Sequence, residues 1–363
     1  MLGKKYSLGI YLVTYNRKKH LNNILDFIIA LNSPIRDYDI TILNNASTDG
    51  STELINEYCK KYSNIKHICR KINIGGDANI CQAYEMASTS NYEYIWVLCD
   101  DDKYDFSNWN EVEKEFDNKT DIICVADYAI PNQTMKTLIP YQLLQLTFVP
   151  AGIYRRELLT SAVIMNMYNT IFTVLSQSCI SINAVNKCKT IKVLKHPIVE
   201  NGLHYEDKVK DTSYFRGFKK QLINERRKNT NWILGYCNIV SMLKSRNLAQ
   251  SCVLTAIQNK EIYPSMTIFY EDIVNRYFNI RKIHYYLEIA EYLPFSVKLG
   301  FINFVFRIYF KILLQKIFSI KNHRDNKYKV ITILGIKKSI RKSKIKLFKR
   351  KIKYYSKKML RLV

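Results

Sequence analysis

Nine residues limit the possible folds more than any others: Tyr94-Ile95-Trp96-Val97-Leu98-Cys99-Asp100-Asp101-Asp102. An unbroken apolar run leads directly into three carboxylates. Such a run suits a strand covered on both faces, as in a parallel sheet with helices packed above and below. Three adjacent anions repel one another in a low-dielectric interior, so the strand must end there, in a wet cleft. A divalent cation relieves that repulsion most simply. Oxygen ligands on a short loop suit Mg²⁺ or Mn²⁺, with phosphate and water oxygens completing the shell. The competing reading is a solvated acidic turn.

The residues before this run show which reading to prefer. Tyr6 to Tyr15 is β-branched and aromatic and reads as a strand, closed by Asn16 and Arg17. Leu21, Ile24, Leu25, Ile28 and Ile29 follow at helical spacing. Tyr38 to Leu43 is a second strand, and the polar turn Asn44 to Ser51 leads into a helix carrying Leu54, Ile55 and Tyr58. Ile65 to Cys69 is a third, followed by Asn73 to Asn79 and a helix through Ile80, Ala83, Tyr84 and Ala87. A further strand, Ile122 to Ala126, ends at Asp127.

This alternation predicts an α/β fold: a doubly wound, mostly parallel, Rossmann-like sheet, followed by a helical C-terminal region. Ligands of such sheets sit outside the carboxyl ends of the strands. The polar clusters Thr14–Arg17, Asn44–Asp49, Asn73–Asn79 and Asp100–Asp102 all fall at those ends. A nucleoside diphosphate needs a flat floor and an amide or carboxylate at the base edge, which Tyr15 and Asn45 offer. Its phosphates need positive charge, which a metal at the acidic loop would supply. Gly75-Gly76 matches neither G-x-G-x-x-G nor a P-loop and alone reads as a turn.

Four segments, VTYNR (13–17), NNASTDGS (44–51), NIGGDAN (73–79) and CDDD (99–102), resemble in order and spacing the family 2 glycosyltransferases of GT-A fold, particularly those of bacterial surface glycans. The resemblance covers roughly the first 200 residues. It implies a nucleotide-sugar donor, a divalent metal (Mn²⁺ or Mg²⁺) and inversion at the anomeric carbon. Carried over, Val13 and Tyr15 border the base, and Asn45 stands where the family usually has an aspartate that pairs with uracil. Asp77 lies in a loop that helps hold the nucleotide. Asp100 and Asp102 fill the D-x-D pattern, with Asp101 as an alternative ligand. Phe148 to Leu158 resembles the acceptor side of the cleft. The family's Glu-Asp pair is expected on a helix starting near Asn169-Thr170, where no acid occurs. Glu206 and Asp207 are the candidates for the catalytic base, and His204 is a further candidate for the metal or diphosphate. No Q-x-x-R-W motif occurs, which argues against a processive synthase.

Length and charge supply the remaining expectations. At 363 residues the chain suits two domains or more. The expected division is a catalytic domain over 1–215, a helical region over 216–295 with Trp232, Ile233, Tyr236, Ile239 and Met242 in helical pattern, and an amphipathic helix with a basic tail over 296–363. Nine cysteines are scattered without a C-x-x-C pair, which fits a reducing cytosol better than a disulfide framework. The short apolar run Leu8–Val13 lacks a cleavage site and is not read as a signal peptide.

The net charge is +25, yet residues 321–363 alone carry 17 Lys or Arg against one acid, Asp325. Ser296 to Ile320 is mostly apolar, with Asn303, Arg307, Lys311 and Gln315 every four residues. These interrupt it too often for a membrane-spanning segment. A helix lying at the inner face of the membrane, its tail held to anionic lipid, is expected; a core helix with a solvated tail competes. The predicted partners are therefore a nucleotide-sugar, a glycan or glycolipid acceptor and an anionic membrane surface, with no nucleic acid. A nucleotidyltransferase would want a Gly-rich grip after the first strand, which Tyr15 to Lys19 lacks. A nucleic-acid binder would explain the tail by phosphate contacts, with little aromatic support.

Overall fold

The structure is a computed structural model that describes residues 6–126, 137–200, 225–259, 265–277, 283–322, 328–333 and 336–341. In chain order the first elements are β1 (Leu8–Thr14), α1 (Lys18–Ile28), β2 (Asp39–Asn44), α2 (Ser51–Lys61), β3 (Ile65–Cys69), α3 (Gly76–Ser88) and β4 (Tyr94–Cys99). There follow β5 (Lys103–Tyr104), α4 (Trp109–Asp117), β6 (Ile122–Cys124), α5 (Ile139–Gln145), β7 (Gly152–Arg155), α6 (Ser161–Asn169), α7 (Ser178–Asn186), β8 (Ile191–Val193) and β9 (Val199–Glu200). Beyond these lie α8 (Glu225–Val240), α9 (Arg246–Gln258), α10 (Met266–Tyr277), α11 (Ile283–Glu291), α12 (Phe295–Ile317), β10 (Phe318–Asn322), β11 (Tyr328–Ile333) and β12 (Ile336–Arg341).

Seven strands form the main sheet in the order β3-β2-β1-β4-β7-β6-β8. The first four are parallel, as the alternation requires. All seven residues of β1 are buried, and β4 is buried from Tyr94 to Leu98. A strand covered on both faces needs apolar side chains at odd and even positions alike. Gly9 leaves room for the Tyr92 ring to cross β1, and the Tyr92 hydroxyl donates to Asp39 at 3.0 Å.

The sheet changes direction past β4. Strand β7 is antiparallel to both β4 and β6, so the sheet is mostly parallel, as the sequence predicts, with one antiparallel strand in it. The strand foreseen over Ile122–Ala126 is shorter: β6 stops at Cys124, and Ala126 makes an isolated bridge to Val199. The helix foreseen near Asn169-Thr170 also differs. There α6 ends, a single 3₁₀ turn covers Ile171–Thr173, and α7 starts at Ser178. Val174, at φ +57°, breaks the run between them.

Two compact units divide the chain. One comprises residues 1–278 and 284–294, and the other 279–283 and 295–363. In the first, the helices of 225–258 belong with the sheet. In the second, α12 is followed by an antiparallel three-stranded sheet, β10-β11-β12. The run Val330-Ile331-Thr332-Ile333 is β-branched throughout, which favours the strand.

Candidate functional site

Register brings the polar strand ends into line. Thr14 pairs with Asn44, Asn44 with Cys69, and Val13 with Cys99, so Thr14 and Asp100 leave neighbouring strands side by side. The four loops named from sequence thus share one rim.

The loops are also tied to each other. Asn16, at φ +50°, donates its N–H to the Ser47 hydroxyl at 2.9 Å, and its side-chain oxygen accepts from Thr48 N–H at 2.7 Å. Asp49 accepts from Lys18 N–H, at the start of α1, and from Ser51 N–H, at the start of α2. One carboxylate thereby serves two helix N-termini, where orphan donors and the helix dipole favour an anion. These bonds hold the Asp49 carboxyl below the usual range despite partial burial.

Asn45 is held by the third loop. Its Nδ2 donates to Asn73 Oδ1 at 2.8 Å and to the Gly75 carbonyl at 3.2 Å, and its Oδ1 accepts from Ile74 N–H at 3.0 Å. Both amide hydrogens are used within the protein, leaving one lone pair on Oδ1 for a ligand. The residue is buried and fixes the third loop to the second. Gly75 sits at φ +91°, with open space where a Cβ would be, so its backbone and not crowding demands glycine. It leads into α3, whose first turn holds Asp77. Burial pushes the Asp77 carboxyl up to about 6. Val13 is buried at the end of β1 and Tyr15 is half-buried beside it.

The acidic triplet splits into two roles. Asp100 turns inward and is almost wholly buried. Its Oδ2 accepts from the Thr14 hydroxyl at 2.5 Å, and its Oδ1 from Arg17 Nη1 at 3.1 Å. The same Arg17 nitrogen lies 2.6 Å from Asp101 Oδ2. Burial raises the Asp100 carboxyl to about 7, with Asp101 adding to the rise and Arg17 opposing it. Asp101 and Asp102 are half-buried, and their carboxylates converge with the Cys99 thiol, the three ligand atoms lying within 4.8 Å of one another. Among the described residues this is the one such group of potential metal ligands. Asp101, held in reserve from sequence, is therefore in the converging set together with Asp102, while Asp100 pairs with Thr14 and Arg17.

The donor set fits a divalent ion. Three carboxylates and one guanidinium carry a formal charge of two minus, which such an ion balances. Two carboxylates suit Mg²⁺ or Mn²⁺, and Mn²⁺ accepts a sulfur neighbour more readily than Mg²⁺. The loop is propped from below. The Tyr104 hydroxyl donates to the Cys99 carbonyl at 3.1 Å and accepts the Cys99 N–H at 3.2 Å. Trp96, Tyr104, Phe106 and Trp109 pack edge-on or tilted beneath it.

Thr14, Arg17, Cys99 and Tyr104 were given no role from sequence. The register of β1 against β4 was the missing signal for Thr14, and the place of Arg17 in the loop that follows β1, at the same strand ends as the triplet, was the available signal for Arg17. His204, Glu206 and Asp207 lie outside the described residues. The nearest described strand, β9, pairs Glu200 with Lys103, the residue after Asp102.

Residues 10–181 match the model of the family "Glycosyl transferase family 2". Over 119 residues, 32% of this chain, the sequence is 31% identical to a poly(ribitol-phosphate) beta-glucosyltransferase of Bacillus spizizenii, covering 18% of that protein. The chain spans less than half the length of the curated relatives it matches. In fold it is similar to S. aureus TarS 1-349 in complex with UDP-GlcNAc, at TM-score 0.55 and 11% identity over 92% of this chain and 99% of that one. A mannosyltransferase, PcManGT from Pyrobaculum calidifontis in complex with GDP-Man and Mn²⁺, aligns at TM-score 0.50 and 11% identity over 86% of this chain and 89% of that one. The fold is thus of the GT-A kind. Among the described residues no helix is long and apolar enough to cross a membrane.

Proposed function

Residues 10–181 being a glycosyl transferase family 2 domain, we propose that the protein moves one sugar from a UDP-sugar to a hydroxyl of a bacterial cell-surface glycan or lipid-linked oligosaccharide, with inversion. The observation that carries this reading is the convergence of Cys99, Asp101 and Asp102 on the same rim as the Thr14, Asn45 and Asn73 loops. Asp101 and Asp102 would hold the divalent ion, which supplies positive charge against a departing diphosphate.

The chain's own residues divide the remaining work. Tyr15 and Val13 border the base, and the free lone pair of Asn45 Oδ1 accepts from the N–H of its ring. Asp100 keeps Arg17 at the lip of the site, where the guanidinium faces Asp101 and the incoming anion. In the transfer the bond from the anomeric carbon to the diphosphate oxygen breaks, and its electron pair leaves on the phosphate. The acceptor oxygen forms the new bond from the opposite face, and its proton passes to a carboxylate. Glu206 and Asp207 are the proposed bases, and His204 is proposed beside the diphosphate.

A donor screen tests this reading: nucleoside diphosphate release from a panel of sugar nucleotides, with Mn²⁺ and with EDTA. Metal-dependent release from at least one UDP-sugar, lost in Asp102→Ala, is expected. Equal turnover in EDTA, or none from any sugar nucleotide, would reject it.

A further inference from the structure

Helix α12 exposes a row of large apolar side chains. At about 100° per residue, Phe295, Leu299, Phe306, Phe310 and Leu314 fall within a sector about 100° wide. All five are exposed, between 43% and 78%. Val297 and Phe301, on the far side, are buried. Arg307 and Lys311 are exposed along one edge of the apolar sector, and Asn303 lies within it. Arg307 and Lys311, part of the polar stripe read from sequence, therefore border an apolar sector. At about 1.5 Å per residue, the helix presents this face, from Phe295 to Leu314, over about 28 Å.

Three of the five side chains are phenylalanines, and leaving them in water is unfavourable. What covers them must offer apolar material and negative charge together. Residues 295–363 carry 21 Lys or Arg against the single acid Asp325. A second copy of the chain would bring like charges against Arg307 and Lys311. A nucleic acid would satisfy the charge and leave the phenylalanines wet. A bilayer of anionic lipid satisfies both, with rings among the upper acyl chains and cations among the headgroups.

We propose that α12 lies in the plane of an anionic membrane surface, anchored by Phe306 and Phe310 and flanked by Arg307 and Lys311. This docking needs neither donor nor metal, so it stands or falls apart from the transfer reaction.

The test is co-sedimentation of the full chain with vesicles of phosphatidylcholine alone or with 30% phosphatidylglycerol. Binding to the anionic vesicles is expected, at least about tenfold tighter than to neutral ones and weakened by 0.5 M salt. Phe306→Ser/Phe310→Ser should lower partitioning about tenfold or more with an unchanged melting temperature, since both rings are exposed. Three results would overturn the proposal: no binding to anionic vesicles, undiminished binding of the double variant, or a wild-type dimer that the double variant converts to monomer without any vesicle binding.

Discussion

Restoring an aspartate at position 45 should harm this protein. Family resemblance makes Asn45→Asp look like a return to the usual residue. The hydrogen bonds imply the reverse. A carboxylate there would still accept from Ile74 N–H, but it would face Asn73 Oδ1 and the Gly75 carbonyl, now 2.8 and 3.2 Å from a donor, with no hydrogen to give. Two lost hydrogen bonds cost about 0.5–1.5 kcal/mol each, and an anion against two acceptors adds to that, so a loss of about 2–4 kcal/mol is expected at pH 8. In a unit of this size that lowers Tm by roughly 4–8 °C. Asn45→Ala loses the same donors without the repulsion and serves as the reference. The carboxyl of Asp at 45 would have its folded pKa raised above the unfolded value of about 3.9. Its protonated form can donate one bond, so stability is regained below the folded pKa and lost as pH rises through it. Urea unfolding of both variants at pH 8 and pH 5 measures this. The difference between them should shrink by about 1–2 kcal/mol at pH 5. An Asp variant as stable as wild type at pH 8, or a difference that does not move with pH, would refute the reasoning.

Two further outcomes follow from the packing. Asp121 accepts from Thr190 N–H and its hydroxyl at 2.9 and 2.8 Å and pairs with Lys189 at 3.3 Å, fastening β6 to β8. Its carboxyl is held below the usual range by these bonds, against opposing burial. Asp121→Ala should cost about 2–3 kcal/mol at pH 7. The wild-type advantage is present above pH ~4 and should fade as pH falls through the depressed value, which acid unfolding curves of the two proteins will show. At Gly9 a Cβ would lie 2.3 Å from the Tyr92 ring, so Gly9→Ala should destabilise by about 1–3 kcal/mol. Thermal melts of Gly9→Ala with and without Tyr92→Leu should show the penalty largely removed in the double variant.

The parallel half of the sheet was legible because its signals are local. Apolar runs at Leu8–Thr14 and Tyr94–Cys99, and helical spacing between them, fix element type without reference to distant residues. Strand β7 was not legible as an antiparallel insert. Gly152–Arg155 has only four residues, and its direction depends on pairing with Trp96 and Ile123 far away in sequence. The site divides in the same way. That four polar loops share a rim follows from topology, but which carboxylate of the triplet turns inward depends on the register that sets Thr14 beside Asp100 and on the reach of Arg17. Asn45 teaches the same point: its residue type suits a base edge, while its neighbours Asn73 and Gly75 consume its hydrogens. The C-terminal strands β10 to β12 were hidden by composition, since their dense lysines read as a tail.

Calorimetric titration of UDP tests the central claim most directly. With Mn²⁺ present, wild type should bind UDP, and EDTA should weaken binding by about 3 kcal/mol, roughly 100-fold. Asp102→Ala in Mn²⁺ should behave like wild type in EDTA. Equal UDP affinity with and without the ion, or full affinity in Asp102→Ala, would contradict an ion held by Asp101 and Asp102 at a diphosphate site.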